Sequence, residues 1–255
     1  MNNKKKFFGI NDENWGHKWG YKDSSFIIKE DKSVTFSGDR YPVCGKKLTN
    51  FIPFVESVLE VEIQKEPKVL ELKEKYVEEA NINKPFVDEL IKSFDEDRYS
   101  FKNEERLLHS HGQHSTDEVY KVLYKKLEKF TDLVFYIESE EETLKLIELA
   151  KKHDVCLIPY GGGTNVTNAL RPPIEEKRMI VSVDTRRLNS IESIDEENLL
   201  VTVFSGITGK ELEKKLNALG LTAGHEPDSY EFSTVGGWIS TNAAGMKKHK
   251  YGNIE

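Results

Sequence analysis

From Thr131 onward the apolar positions fall into short, regular blocks. Leu133 to Ile137 is a continuous apolar run of strand length, and Val155 to Ile158 is a second, read as a buried strand. Between them, Ser139-Glu140-Glu141-Glu142 has the Ser-x-x-Glu spacing of a capping box, which opens a helix. Leu144, Leu146, Ile147, Leu149 and Ala150 supply its apolar face, and the helix is expected to run to about His153. The pattern is a β-α-β unit, whose crossover should be right-handed. Met179 to Val183 and Leu199 to Phe204 predict two further strands. Thr208-Gly209-Lys210-Glu211 repeats the capping-box spacing. Leu212, Leu216 and Leu219 then fall on one helix face, and Gly220 closes the helix.

Upstream of Thr131 the pattern is less regular. Residues 1–58 are rich in aromatics (Trp15, Trp19, Tyr21, Phe26, Phe36, Tyr41) and predict an arm packed on a larger body, with a short strand at Ser33 to Phe36 and a turn at Gly38-Asp39. Phe51 to Glu60 and Lys68 to Asn81 have helical character. Lys65 to Glu79 alternates in charge so densely that it reads as a solvated helix or linker. Phe86, Leu90, Ile91 and Phe94 form a helical stripe within Lys84 to Asp95 that should pack. The chain divides into an aromatic arm and helical region over 1–130 and an α+β domain over 131–255.

The 255 residues are 37% hydrophobic, which is enough for one large or two modest domains. A net charge of −7 argues against nonspecific nucleic-acid binding, which needs clustered positive charge. Cys44 and Cys156 are the two cysteines, and Cys156 falls in a predicted buried strand, so no disulfide framework is expected. No run has the apolar length of a transmembrane helix. Lys4, Lys5 and Lys6 are followed by no hydrophobic signal region, so any membrane contact should be peripheral.

Two stretches carry candidate chemistry. Pro159-Tyr160-Gly161-Gly162-Gly163-Thr164-Asn165 follows a strand, and Pro159 is expected to stop the sheet ladder because it has no N–H. The glycines can take positive φ and let a ligand approach the backbone. With Thr164, Asn165, Thr167 and Asn168 they suit an anion-binding nest for a pyrophosphate; taken alone, a glycine-rich turn that binds nothing fits as well. Gly224 to Gly245 is a second glycine-rich stretch, and Asp228, Ser229, Ser233, Thr234, Thr241 and Asn242 could hydrogen-bond a polar cofactor there. His225 in this stretch reads most simply as a buried, hydrogen-bonded loop histidine. His109, His111 and His114 have a spacing that could ligate zinc, but no cysteine is nearby and a fourth ligand is wanting, so no metal is expected.

Pro159 to Thr164, followed by the run from Gly224 to Trp238 (GHEPDSYEFSTVGGW), resembles the FAD-binding half-domain of the vanillyl-alcohol-oxidase-type flavoproteins. Within that superfamily it is similar to the alkyldihydroxyacetonephosphate synthases of ether-lipid synthesis. The run from Gly245 to Glu255 (GMKKHKYGNIE) is narrower than a generic flavin motif and fits that family; Trp19 to Phe26 and Arg40-Tyr41-Pro42 look like the segment preceding its flavin domain. His111-Gly112 matches the family's His-Gly-His, with Gln113 in place of the second histidine. Thr131 and Ile137 stand where relatives often have prolines around the first strand.

The resemblance implies a PCMH-type FAD-binding domain. The cofactor would be held by Pro159, Tyr160, Gly161, Gly162, Gly163, Thr164 and Asn165, by Asp228, Ser229, Tyr230, Glu231, Phe232, Ser233 and Thr234, and by Thr241, Asn242, Ala243 and Ala244. Thr164 stands where some relatives carry the histidine that links to the flavin, so the FAD should be noncovalent. The family exchanges the acyl group of acyl-dihydroxyacetone phosphate for a long-chain fatty alcohol. The resemblance therefore implies a transferase, alkylglycerone-phosphate synthase, with those two substrates, a peroxisomal location and a homodimer. No peroxisomal address is visible, and Asn253-Ile254-Glu255 is not a Ser-Lys-Leu-type ending. Two other readings stand beside it: an FAD-dependent 2-hydroxy-acid oxidase or dehydrogenase, against which the 245–255 run and the aromatic arm speak, and a truncated, non-catalytic flavin-binding protein. The sequence stops at Glu255 directly after a glycine-rich loop. It is expected to be the N-terminal portion of a longer synthase, with catalytic residues beyond Glu255 and no ether formation by residues 1–255 alone.

Overall fold

The computed structural model describes residues 20–63 and 77–255. Trp15, Trp19 and most of the charge-dense stretch at 65–79 lie outside them. Strands β1 (Phe26–Ile28), β2 (Val34–Phe36) and β3 (Lys47–Leu48) form a small antiparallel sheet, followed by helix α1 (Phe51–Leu59). The arm reaches the body through Tyr21, whose ring centroid lies 5.8 Å from that of Phe232. The described end of the expected helix at 68–81, residues 77–81, is not helical.

Helix α2 (Lys84–Ser93) begins where Asn83 accepts a hydrogen bond from the Phe86 N–H and Pro85 occupies the first turn. Phe86, Leu90 and Phe94 are buried as the stripe predicts, but Ile91 is 50% exposed. At 100° per residue it falls off the Phe86–Leu90 line and onto the solvent side. A short strand β4 (Tyr99–Ser100) and two helices absent from the sequence expectations, α3 (Asn103–Leu108) and α4 (Thr116–Tyr124), complete the first half.

The second half holds β5 (Leu133–Tyr136), α5 (Glu140–Lys152), β6 (Cys156–Tyr160), β7 (Ile180–Asp184), β8 (Ile191–Asp195), β9 (Leu200–Val203), α6 (Gly209–Asn217), α7 (Val235–Thr241) and α8 (Lys248–Tyr251). The main sheet has the order β4-β5-β7-β6, with β5, β7 and β6 parallel and β4 antiparallel at one rim. One core unites Leu133, Phe135, Val181 and Val183 of this sheet with Leu146 and Leu149 of α5 and with Phe86 and Leu90 of α2. The fold is α+β, and the helical region before Thr131 contributes α2 and β4 to the same core as the sheet.

β7, in the interior of the sheet, is buried along its whole length, whereas β6 is an edge strand and is only half-buried. Val155 to Ile158 is therefore not the buried strand that its apolar run suggests, and Cys156 is partly exposed. Pro159 does not end the ladder either; it pairs with Val183, and the strand continues to Tyr160. The Cys156 N–H donates to Met179 O, and Tyr160 O accepts from the Thr185 N–H. Alternate residues 156, 158 and 160 thus face β7, and residue 159 turns its missing donor outward. Thr131, in the place of a proline, is held by hydrogen bonds: its N–H donates to Ser110 Oγ, and its hydroxyl lies 3.1 Å from the carbonyls of Leu133 and Ile180.

The first capping box forms one residue out of register. Ser139 Oγ accepts from the Glu142 N–H at 3.1 Å, but Glu142 Oε2 accepts from the Glu138 N–H at 2.8 Å instead of from Ser139. At α6, Thr208 Oγ1 accepts from the Glu211 N–H at 3.3 Å. Thr208→Ala is expected to cost about 1 kcal/mol, measured by urea denaturation, because it orphans that donor. α6 stops at Asn217, so Leu212 and Leu216 are buried while Leu219 is 50% exposed; Gly220, at φ 75°, turns the chain. β9 pairs with β8, a strand absent from the sequence expectations, in a hairpin separate from the main sheet.

Candidate functional site

The glycine loop leaves the carboxyl end of β6, the end at which parallel sheets bind ligands. A Cβ on Gly161 would lie 2.4 Å from Thr234 Oγ1, and one on Gly162 would lie 2.0 Å from the carbonyl oxygen of Phe232. The two glycine-rich stretches are therefore in direct apposition. Gly163, at φ 70°, is the member of the triplet with left-handed backbone. Its two neighbours are small because the second stretch packs against them. Among the described residues, the N–H groups of Gly161, Gly162, Gly163, Thr164 and Asn165 donate to no protein acceptor. Asn165 Nδ2 is buried and also lacks a partner. Successive free donors on a loop without side-chain obstruction fit an anionic diphosphate. Gln113 and His114, at the entry to α4, line an adjacent open cavity of about 460 Å³.

The second stretch uses its donors internally. The N–H groups of Tyr230, Phe232 and Ser233 go to the carbonyls of Pro227 and Ser229, and those of Val235 and Gly236 go to Ile207 and Ser205. Ser233 Oγ accepts from the Trp238 indole N–H at 2.7 Å, and Thr234 Oγ1 caps α7 by accepting from the Gly237 N–H. Each hydroxyl keeps its O–H to donate. Asp228 is exposed and near His114, whose pKa is lowered by burial against the pull of that carboxylate. Ser229 is half-buried beside it and Tyr230 is exposed. Glu231 turns to Lys210 at 2.9 Å, and Phe232 packs on Tyr21. Thr241, Asn242, Ala243 and Ala244 lie at the far end of α7, about 10 Å along its axis from Thr234. Thr241 donates back to Gly237 O, and Asn242 ends the helix at φ 50°.

Beneath the loop lies a buried polar network that has no local sequence signature. His109 Nε2 is 2.9 Å from Asp184 Oδ2, and His109 Nδ1 is 2.7 Å from Glu105 O. Arg186 pairs with Asp184 at 2.5 Å, and its guanidinium stands 4.9 Å over the Tyr160 ring. Burial raises the Asp184 pKa, but Arg186 and His109 outweigh it and hold the carboxyl well below the usual range. Burial pushes the Tyr160 hydroxyl up, so it stays protonated. The one sequence signal was an Asp closing an apolar strand. The histidine cluster disperses: His109 goes to Asp184, while His111 donates through Nδ1 to Gly112 O at 2.8 Å and is kept neutral by burial. His225 is buried at 8% exposure, but neither ring nitrogen has a hydrogen-bond partner among the described residues, contrary to the expected satisfied histidine. It packs against the Trp238 ring at 4.8 Å, an apolar neighbour that offers no acceptor.

Comparison with known proteins matches the part of the chain that carries these loops. A family described as an FAD binding domain matches residues 131–255. An alkyldihydroxyacetonephosphate synthase of Caenorhabditis elegans is 43% identical over 239 residues, covering 93% of this chain and 39% of that protein. One of Trypanosoma brucei brucei is 33% identical over 248 residues, covering 93% of this chain and 40% of that protein. A solved alkyldihydroxyacetonephosphate synthase structure matches with a TM-score of 0.87 at 29% identity, covering 100% of this chain and 46% of that one. The chain thus spans less than half the length of the curated relatives it matches. Residues 131–255 thus match the FAD binding domain family, the cofactor is FAD, and across its length the chain is similar in sequence and structure to the alkyldihydroxyacetonephosphate synthases.

Proposed function

We propose that the full-length protein is an alkylglycerone-phosphate synthase, which exchanges the acyl group of acyl-dihydroxyacetone phosphate for a long-chain fatty alcohol. The observation that carries this reading is the 43% identity to a synthase over 93% of the chain. FAD, when bound, supplies the nucleophilic flavin nitrogen and the conjugated system that such an exchange needs. This chain's part is to hold it. Within Pro159 to Asn165, Gly161 to Asn165 bring free N–H groups to the pyrophosphate, and Asp228 to Thr234 and Thr241 to Ala244 line the remainder of the cofactor. The test is to supply the full-length protein with FAD, acyl-dihydroxyacetone phosphate and a fatty alcohol, and to seek the alkyl product by mass spectrometry. Absence of that product, or oxidation of a 2-hydroxy acid in its place, overturns the reading.

The flavin is held without a covalent bond, because the Thr164 hydroxyl is no counterpart of a linking histidine. The full-length protein is expected to purify yellow and to release free FAD into the supernatant on acid precipitation; flavin that stays with the pellet overturns this. The same reading makes the protein a peroxisomal homodimer with peripheral membrane contact. A tagged full-length protein spread through the cytosol of cells with normal peroxisomes, or a monomer on sedimentation, counts against it.

A further inference from the structure

The loop that carries the free N–H groups is shaped from outside, by a segment that belongs to neither glycine-rich stretch. The Gln113 N–H donates to Gly163 O at 2.5 Å. In a trans peptide the C=O and the following N–H point in opposite directions. Anchoring the Gly163 carbonyl to Gln113 therefore aims the Thr164 N–H away from residues 111–113 and into the nest. The anchor is only as firm as that segment, and Glu118 holds it. Glu118 is fully buried in α4; its Oε2 accepts from the Gly112 N–H at 3.0 Å and its Oε1 faces Arg171 Nε at 3.2 Å. Arg171 stands where the loop returns to the body. Its Nη2 reaches Asp117 Oδ2 at 2.6 Å and Asn168 Oδ1 at 3.2 Å, and Asn168 Oδ1 also lies 2.9 Å from Ser115 Oγ. Asn168 has left-handed backbone, φ 58°, at the bend of the return. A Cβ on Gly112 would meet Glu118 Oε2 and Asn165 O, each at 3.0 Å, so three segments converge on that one glycine.

We propose that Glu118 is a positioning residue for the pyrophosphate nest: one carboxylate clasps the Gly112–Gln113 segment to Arg171, fixing both ends of the 163–171 loop so that its N–H groups are aimed before cofactor arrives. The proposal rests on the reading of Gly161 to Asn165 as the diphosphate cradle. A buried charge with one partner on each side of a loop is suited to this task, because the arginine's departure leaves it unpaired and the amide's departure leaves one of its oxygens unsatisfied. Preorganised donors lower the ordering cost of binding.

The test uses the full-length protein with FAD as ligand. Glu118→Gln keeps the shape and an acceptor for the Gly112 N–H but removes the charge that holds Arg171. It is expected to raise the FAD dissociation constant about tenfold, as loss of one charged hydrogen bond would. It should also move the phosphorus NMR resonances of bound FAD while leaving the visible flavin band in place. An effect through general loosening of the fold would move the flavin band as well. Ser115→Ala, which removes one of the two side-chain bonds to Asn168 without touching a buried charge, should shift the same resonances less and serves if Glu118→Gln does not fold. Wild-type affinity and unchanged phosphorus resonances in the variants overturn the clasp. Failure of the wild-type protein to show phosphorus shifts on binding FAD overturns the cradle itself.

Discussion

Gly162→Val is expected to leave the full-length protein without bound flavin. A Cβ at this position would lie 2.0 Å from the Phe232 carbonyl oxygen, 2.6 Å from its carbon and 3.0 Å from Ser233 Cα. All three are backbone atoms, so no side chain can swing aside to make room. The sequence suggests that a valine here would occupy cofactor space and resist positive φ. In the structure Gly162 does not have positive φ, and the collision comes earlier, between the two stretches that build the site. Either the glycine loop or the turn before α7 must shift by on the order of 1 Å, which breaks hydrogen bonds that tolerate only a few tenths. Losing two bonds to a diphosphate, at about 1.5–3 kcal/mol each, weakens binding by roughly a hundredfold or more. The ratio of flavin to protein absorbance after gel filtration reads this directly. A yellow Gly162→Val protein with wild-type stoichiometry would move the cofactor site elsewhere.

Asp184→Ala should destabilise the protein by about 3–5 kcal/mol, the cost of leaving a buried charge without its partner. Asp184 is buried at the end of β7, where it answers both Arg186 and His109. Its removal takes the paired carboxylate from the guanidinium that stands over Tyr160, the residue from which the glycine loop departs. The pH dependence has a definite sign. The carboxyl of Asp184 is held below its unfolded value, so its contribution is complete above that value, about pH 4, and is lost as pH falls toward the folded one. Wild type should therefore lose more stability than Asp184→Ala between pH 5 and strongly acid solution, and the two urea midpoints should converge. Parallel midpoints across that range would show that the pair contributes nothing net.

What was legible in the sequence was whatever a local rule enforces. The glycine triplet announced itself because close backbone apposition and one left-handed residue admit little else. α5 and α6 were marked by Ser139 and Thr208, since a helix start needs side-chain acceptors within a few residues. β8 escaped notice because Ile191 and Ile194 are three apart, which breaks the alternation of a strand. A β-bulge between Ile191 and Ser193 absorbs the extra residue and returns both isoleucines to the face packed on α6. α3 and α4 are short and depend on distant partners. Arg106 of α3 donates to Thr131 O and Glu78 O, and Glu118 of α4 to its loop contacts owes its burial. The Asp184 network joins residues 75 apart in the chain, a pairing that no window along the sequence can display.

Pro159 has a consequence beyond the site it introduces. Among the described residues β6 is the outer strand at one rim of the main sheet, and such a rim is a template on which a strand from another molecule can be laid down. Of the residues that face outward, Leu157 keeps an N–H while Pro159 has none, so an incoming strand finds its ladder interrupted just before the glycine loop. The ring that seemed to mark where the strand ends is instead a guard along its edge. It keeps molecules from zipping together through the same strand that must remain free to present the cofactor loop.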